Sequence, residues 1–91
     1  LPLVEAMAVG TPVVASDIPI FHEVGGKAFL PFEVHGSEPV AQLRAAINRL
    51  WNDGDLRAEL SQRGLQQAAI FTWKACCDAV MHTYDLAAST R

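Results

Sequence analysis

The apolar positions of this chain fall into several rhythms. From Leu1 to Ala15 almost every residue is apolar, in the order L-P-L-V-E-A-M-A-V-G-T-P-V-V-A. Pro2 suits a helix's first turn, where an amide hydrogen has no intrahelical partner. Gly10 suits the position just past a helix end, where a left-handed backbone costs little. Pro12-Val13-Val14-Ala15 is a β-branched run of the kind found in strands buried on both faces. From Val40 the period lengthens: Val40, Leu43, Ile47, Leu50 and Trp51 recur at three- and four-residue spacing, with Gln42, Arg44, Asn48 and Arg49 on the wet side. That is an amphipathic helix covering a sheet. Ser37 is its expected cap and Asn52-Asp53-Gly54 its break. A further helix is expected from Asp55 to about Ala69. Thr72 is expected to cap a last one, carrying the stripe Trp73, Cys76, Cys77, Val80, Met81 and Tyr84.

Between these regions, Pro19 and the pair Gly25-Gly26 bracket one short helical turn. Lys27 to Phe32 reads as a second short strand, stopped by Pro31. Glu33 to Gly36 is a loop. The pattern predicts an α/β class with about two short parallel strands and flanking helices, in α-β-β-α-α-α order. Two strands leave open edges, which predicts oligomerisation or marginal stability. The apolar closing stripe is expected to be core, an exposed patch or a dimer face. Gly64 lies inside a helical stretch, at a cost of about 1 kcal/mol relative to Ala, and marks a close approach or a bend. Residues 86–91 should fray.

Few charged residues interrupt the first strand and helix. Glu5 is the only charge between Leu1 and Ser16. A carboxylate in so apolar a helix needs water or a partner. It reads either as a solvated first-turn acid complementing the helix dipole or as a ligand-binding group. Ser16 and Asp17 follow the first strand, at the end of a parallel sheet where ligands bind. Asp17 reads alternatively as a turn cap. His22 and Glu23 are consecutive and point apart on a helical turn, so they read as surface or structural residues rather than an acid–base pair. His35 and His82 lack metal-ligand spacing. Arg57 and Arg63 read as solvated, or as anion ligands.

The run L-P-L-V-E-A-M-A-V-G-T-P-V-V-A-S-D-I-P resembles the nucleotide-sugar segment of the retaining group 1 glycosyltransferases (family 4, GT-B fold). That segment typically reads E-G-F-G-L-P-x-x-E-A-M-A-x-G-x-P-V-V-A-S. The likeness continues through Glu23-Val24-Gly25-Gly26 and Phe71-Thr72-Trp73, covering nearly the whole chain. The resemblance implies a C-terminal piece of a Rossmann-like donor-binding domain. Residues 1–36 would be the nucleotide-sugar segment and 37–91 a helical tail. Glu5 matches the second acid of the family's E-x7-E pair, which accepts hydrogen bonds from the donor's ribose. The first acid, which touches the transferred sugar, would precede Leu1. Leu1, Pro2 and Leu3 match the end of the loop beside the diphosphate. A helix N-terminus with bare amides suits a diphosphate, and a carboxylate one turn in suits vicinal hydroxyls.

On this resemblance the expected activity is transfer of a sugar from a nucleoside-diphosphate sugar to an acceptor, with retention and no essential metal or cofactor. No catalytic residue is expected within the chain, and the chain alone is expected to be inactive. The acceptor, whether carbohydrate, lipid or another small molecule, would be met through an N-terminal domain that precedes this segment. A membrane-peripheral position of the parent protein is compatible with that. The alternatives are a non-catalytic nucleotide-binding or interaction module and a nucleotide-sugar epimerase of GT-B type; the E-A-M-A-x-G-x-P-V-V run favours the transferase.

Composition narrows this further. Ninety-one residues allow one domain at most, and 51% hydrophobic content excludes a disordered chain. A net charge of −3 provides no basic footprint for nucleic acid. No apolar run is long enough to span a bilayer. The chain begins without Met inside a helix signature, which predicts a piece of a longer protein. Adjacent Cys76 and Cys77 do not suit a mutual disulfide, which fits a reducing, cytoplasmic compartment.

Overall fold

The computed structural model describes the backbone of residues 2–89 and the side chains of residues 2–83. The elements are α1 (Pro2–Ala8), β1 (Val14–Ser16), α2 (Pro19–Gly25), β2 (Leu30–Phe32), α3 (Pro39–Asn52) and α4 (Gly54–Ser89). The chain is thus a small α/β unit. A full short helix, α2, stands between the strands, so the order is α-β-α-β-α-α.

α1 ends as its glycine requires. The Gly10 amide bonds the Met7 carbonyl at 3.0 Å and the Thr11 amide bonds that of Ala6 at 3.1 Å. These are the two bonds of a Schellman cap, and Gly10 takes the positive φ of 79° that the cap needs. The strands pair in parallel, with Val14 opposite Leu30 and Ser16 opposite Phe32. α2 is the crossover that a parallel pair demands.

Pro31 does not stop β2; it is paired opposite Ala15. The Leu30 amide donates to Val13 at 2.9 Å, so the amides of Leu30 and Phe32 face β1 and that of residue 31 would face away. The missing donor therefore falls on the outer edge of β2 and removes no ladder bond.

The core lies between α1, α2, the approach to β2, and α4. It consists of Leu3, Met7, Val24, Ala28, Phe29 and Ala68, with Val4, Val13, Ala15 and Phe21 packed partly against it. Met7 is completely buried. It lies where α4 crosses α1, and a Cβ on Gly64 would stand 3.4 Å from Met7 Cβ. Gly64 marks a close approach of two helices rather than a bend.

The helical tail departs from three expectations. α3 begins at Pro39 with Glu38 as N-cap and no side-chain capping bond, so Ser37 does not cap it. A residue before proline is driven to extended backbone, which delays the helix to the proline itself. α3 also presents a different face: Ala46 is buried and Leu43 and Leu50 are half-buried, while Val40, Ile47 and Trp51 are exposed. Finally, Thr72 caps nothing. Phe71-Thr72-Trp73 lies inside one helix of 36 residues. No glycine or proline interrupts that junction, and residues on both sides are compatible with helix.

The break between α3 and α4 is built by two side chains. Asp53 Oδ1 accepts from the Leu56 amide at 2.9 Å, capping α4. Arg57 Nη1 donates to the Leu50 and Trp51 carbonyls at 2.9 and 2.5 Å, closing α3. Arg57 is thereby committed to a structural role. Arg63 pairs with Glu59 one turn away and donates to the Lys27 carbonyl at 3.3 Å.

The outer part of α4 runs clear of the domain. The radius of gyration is 16.9 Å, against about 12 Å for a compact chain of this length. Trp73, Cys76, Cys77, Val80 and Met81 are all exposed, so this stripe is not core within the chain. Tyr84's side chain lies outside the described side chains. The expectation for residues 86–91 lies partly outside the described backbone and wholly outside the described side chains. Among the described residues no helix is long and apolar enough to cross a membrane.

Candidate functional site

The residues singled out in the opening helix fall on opposite sides of it. Leu3 and Met7, one turn apart, turn into the core, while Pro2 and Glu5 are exposed. Leu3 packs tightly: its Cδ2 would lie 3.3 Å from a Cβ placed on Gly25. Its side chain is an anchor, and only its backbone is left to meet a ligand. Leu1 lies outside the described residues. Glu5 accepts no hydrogen bond and joins no ion pair among the described residues. The acid is therefore free toward solvent on a helix held rigidly from behind.

At the carboxyl end of β1 the structure unites two residues that the sequence treats separately. The Asp17 amide bonds the Phe32 carbonyl at 2.8 Å, extending the strand ladder by one rung. Its carboxylate then reaches one turn into α2, where Oδ1 meets His22 Nε2 at 2.5 Å. The His22 ring leans on Phe29 with centroids 5.2 Å apart, tilted by 50°. Asp17 therefore braces the β1–α2 turn through a side chain rather than through a backbone cap, and α2 starts from Ile18 without a side-chain cap. The signal in sequence was an acid and a histidine flanking Pro19, which starts a helix in its first position and so sets the span between them. His22 and Asp17 are both about half exposed, and Glu23 is exposed beside them. Ser16 is half-buried in the last position of β1.

A cleft of about 450 Å³ opens between α2 and α4. Ile20, Val24, Ile70 and Phe71 form its apolar wall, with Glu23 and Lys74 at the rim. No residue of α1 lines it, so Glu5 and this cleft are separate features. Among the described residues no group of three His, Cys, Asp or Glu side chains could hold a metal ion. His35 and His82 are each exposed.

The profile of the family described as glycosyl transferases group 1 matches residues 1–67. Over 86 residues the chain is 36% identical to the O-antigen chain mannosyltransferase B of Escherichia coli, covering 94% of this chain and 22% of that protein. It is 33% identical over 88 residues to a phosphatidyl-myo-inositol mannosyltransferase of Mycobacterium leprae (strain TN), covering 97% and 23%. It is 36% identical over 84 residues to a D-inositol 3-phosphate glycosyltransferase of Corynebacterium jeikeium (strain K411), covering 89% and 19%. The chain spans about a fifth of the length of these curated relatives. No solved structure matches it.

Proposed function

The chain belongs to the group 1 glycosyl transferases, and we propose that it forms the donor-binding part of an enzyme that moves a sugar from a nucleoside diphosphate to an acceptor. In this reading the bond from the anomeric carbon to the diphosphate oxygen breaks, with its electron pair leaving on the diphosphate. The acceptor's hydroxyl oxygen bonds the same carbon with retention, and its proton passes to the departing diphosphate. The donor's diphosphate lies beside the first turn of α1, and Glu5 accepts hydrogen bonds from the ribose. Two of the relatives are named mannosyltransferases, so a nucleoside-diphosphate mannose is the first donor to assay.

The observation that carries the reading is the state of Glu5. Its carboxylate is exposed and without a partner among the described residues, on a helix held by Leu3 and Met7 on the other side. A group so placed meets a ligand without first reordering its own backbone. Topology supports the same end of the sheet. A helix that turns through residues 9–13 into a strand runs back against that strand, so its first turn belongs near the strand's carboxyl end, the ligand-binding end of parallel α/β sheets.

The proposal extends to a GT-B, Rossmann-like parent domain, with the acceptor's binding site and the sugar-contacting acid supplied by chain outside these residues. It extends also to a cytoplasmic location, which two adjacent exposed thiols suit. The 91 residues alone are then inactive, and sugar transfer by them would contradict this part. The sharpest test is Glu5→Ala in the longer protein. Losing the acceptor of a ribose hydroxyl costs about 1–3 kcal/mol, or roughly 5- to 150-fold in donor affinity. Unchanged donor affinity by calorimetry would remove Glu5 from the site.

A further inference from the structure

One pair of side chains ties the end of β1 to α2. The Asp17 amide donates to the Phe32 carbonyl at 2.8 Å, which fixes its backbone to the sheet. Its carboxylate accepts from His22 Nε2 at 2.5 Å, which fixes its side chain to α2. Ile18, the N-cap of α2, makes no side-chain capping bond. Among the described residues no other side-chain hydrogen bond joins β1 or its turn to α2. Pro19 sets its own φ and starts the helix, but it leaves the angle between strand and helix to packing and to this pair.

From His22 the contacts run on to the helix that carries Glu5. The His22 ring packs on Phe29, with ring centroids 5.2 Å apart. Phe29 is buried, and its ring shares the backbone of Gly25 with Leu3. A Cβ on Gly25 would stand 2.8 Å from Phe29 Cδ1 and 3.3 Å from Leu3 Cδ2. The first distance is closer than a real side chain allows, so this seat exists only because residue 25 is a glycine. Leu3 is buried in the first turn of α1, two residues before Glu5. Asp17, His22, Phe29, Gly25 and Leu3 therefore form an unbroken series of contacts. Every step lies inside the chain and does not depend on what covers its outer surface. Close-packed side chains pass a displacement on rather than absorb it. A hydrogen-bonding carboxylate is sensitive to such a displacement, because its bonds weaken steeply with distance and angle. Resting on the donor site proposed above, we infer that Asp17 and His22 are positioning residues for the donor. Their bond holds α2 and Phe29 where they set the first turn of α1, and with it the Glu5 carboxylate. Neither residue touches the donor itself.

Calorimetric titration of the longer protein with a nucleoside-diphosphate mannose reads the effect. It is run well below each variant's unfolding midpoint, so that lost stability alone does not move the binding constant. Asp17→Ala and His22→Ala should each weaken donor binding about 3- to 10-fold. The two together should cost no more than either one, because both remove the same bond. His22→Gln keeps a side-chain N–H for Asp17 and should return binding to within about twofold of the unmutated protein. In a Glu5→Ala background, adding Asp17→Ala should cost less than about twofold, since the group it positions is gone. Loss from Asp17→Ala without loss from His22→Ala would mean that Asp17 contacts the donor directly, and would overturn the inference. So would equal losses with and without Glu5, or costs that multiply in the Asp17 and His22 double variant. If Glu5→Ala weakens binding while both pair variants bind normally, this inference fails and the donor site stands. If Glu5→Ala binds normally, the donor site fails and the inference falls with it.

Discussion

Residues 2–32 and the outer half of α4 contain similar kinds of apolar residue and use them in opposite ways. In the first region, Leu3, Met7, Val24, Ala28 and Phe29 are all buried, on elements of three to seven residues or, for Ala28 and Phe29, in the connection that leads into β2. In the second, the helix is long and regular, and Trp73, Val80 and Met81 face solvent. The short elements gain their stability from one another, because helices of seven residues are not stable alone. The long helix needs tertiary contact only at its inner end, where Leu60, Gly64 and Ala68 pack. Apolar content alone therefore does not say where the core is. What separates the regions is whether another element is within reach of the apolar face.

The contrast is most strongly tested by removing one large side chain from each region. Met7→Ala empties the most buried position and should lower stability by about 2–5 kcal/mol, read as a shift in the urea midpoint. Trp73→Ala, measured where the chain is monomeric, should change it by no more than about 0.5 kcal/mol. Equal losses would show that the two regions share one core after all.

A smaller effect is expected at the seam. Asp53→Ala removes the cap of α4 and should cost about 1 kcal/mol. The loss should appear as faster hydrogen exchange at the amides of residues 54–57, while those of α1 remain protected. Uniformly faster exchange would mean that α4 and the α/β part unfold as one unit.

The smallest effect is expected where the regions touch. At Gly64 an added Cβ would meet Met7 at ordinary contact distance, 3.4 Å. Gly64→Ala should then raise stability by up to about 1 kcal/mol through helix propensity. A loss on thermal unfolding would mean that α1 and α4 approach too closely for a methyl group.

Much of the first region was legible beforehand because its signals are local. Pro2, Gly10 and the Val13-Val14 run each constrain their own backbone, and the structure places a helix, a turn and a strand there. Local signals failed where a distant element decided the outcome. Pro31 reads as a strand breaker, yet its missing donor falls on the unpaired edge of β2. The α3 stripe reads through Val40, Leu43, Ile47, Leu50 and Trp51, yet only Leu43 and Leu50 of these are half-buried, beside the buried Ala46, and the other three are exposed. Asp17 and His22 are unremarkable apart; the turn at Pro19 brings them within hydrogen-bonding distance. The ribose role proposed for Glu5 rests on family likeness rather than on periodicity, and the structure adds that Glu5 is exposed and without a partner among the described residues.

By itself the amino-acid order determined the backbone grammar: where helices start at proline, where one ends at glycine, which run is extended, and to which enzyme family the segment belongs. These follow from steric limits on single residues and from a dense motif. The three-dimensional arrangement alone decided which apolar faces are covered, that Arg57 serves as a helix cap, and that α4 continues through Thr72. Burial and hydrogen bonding depend on what lies across a gap in space, and the identity of that neighbour is not carried by any residue's own conformational preference.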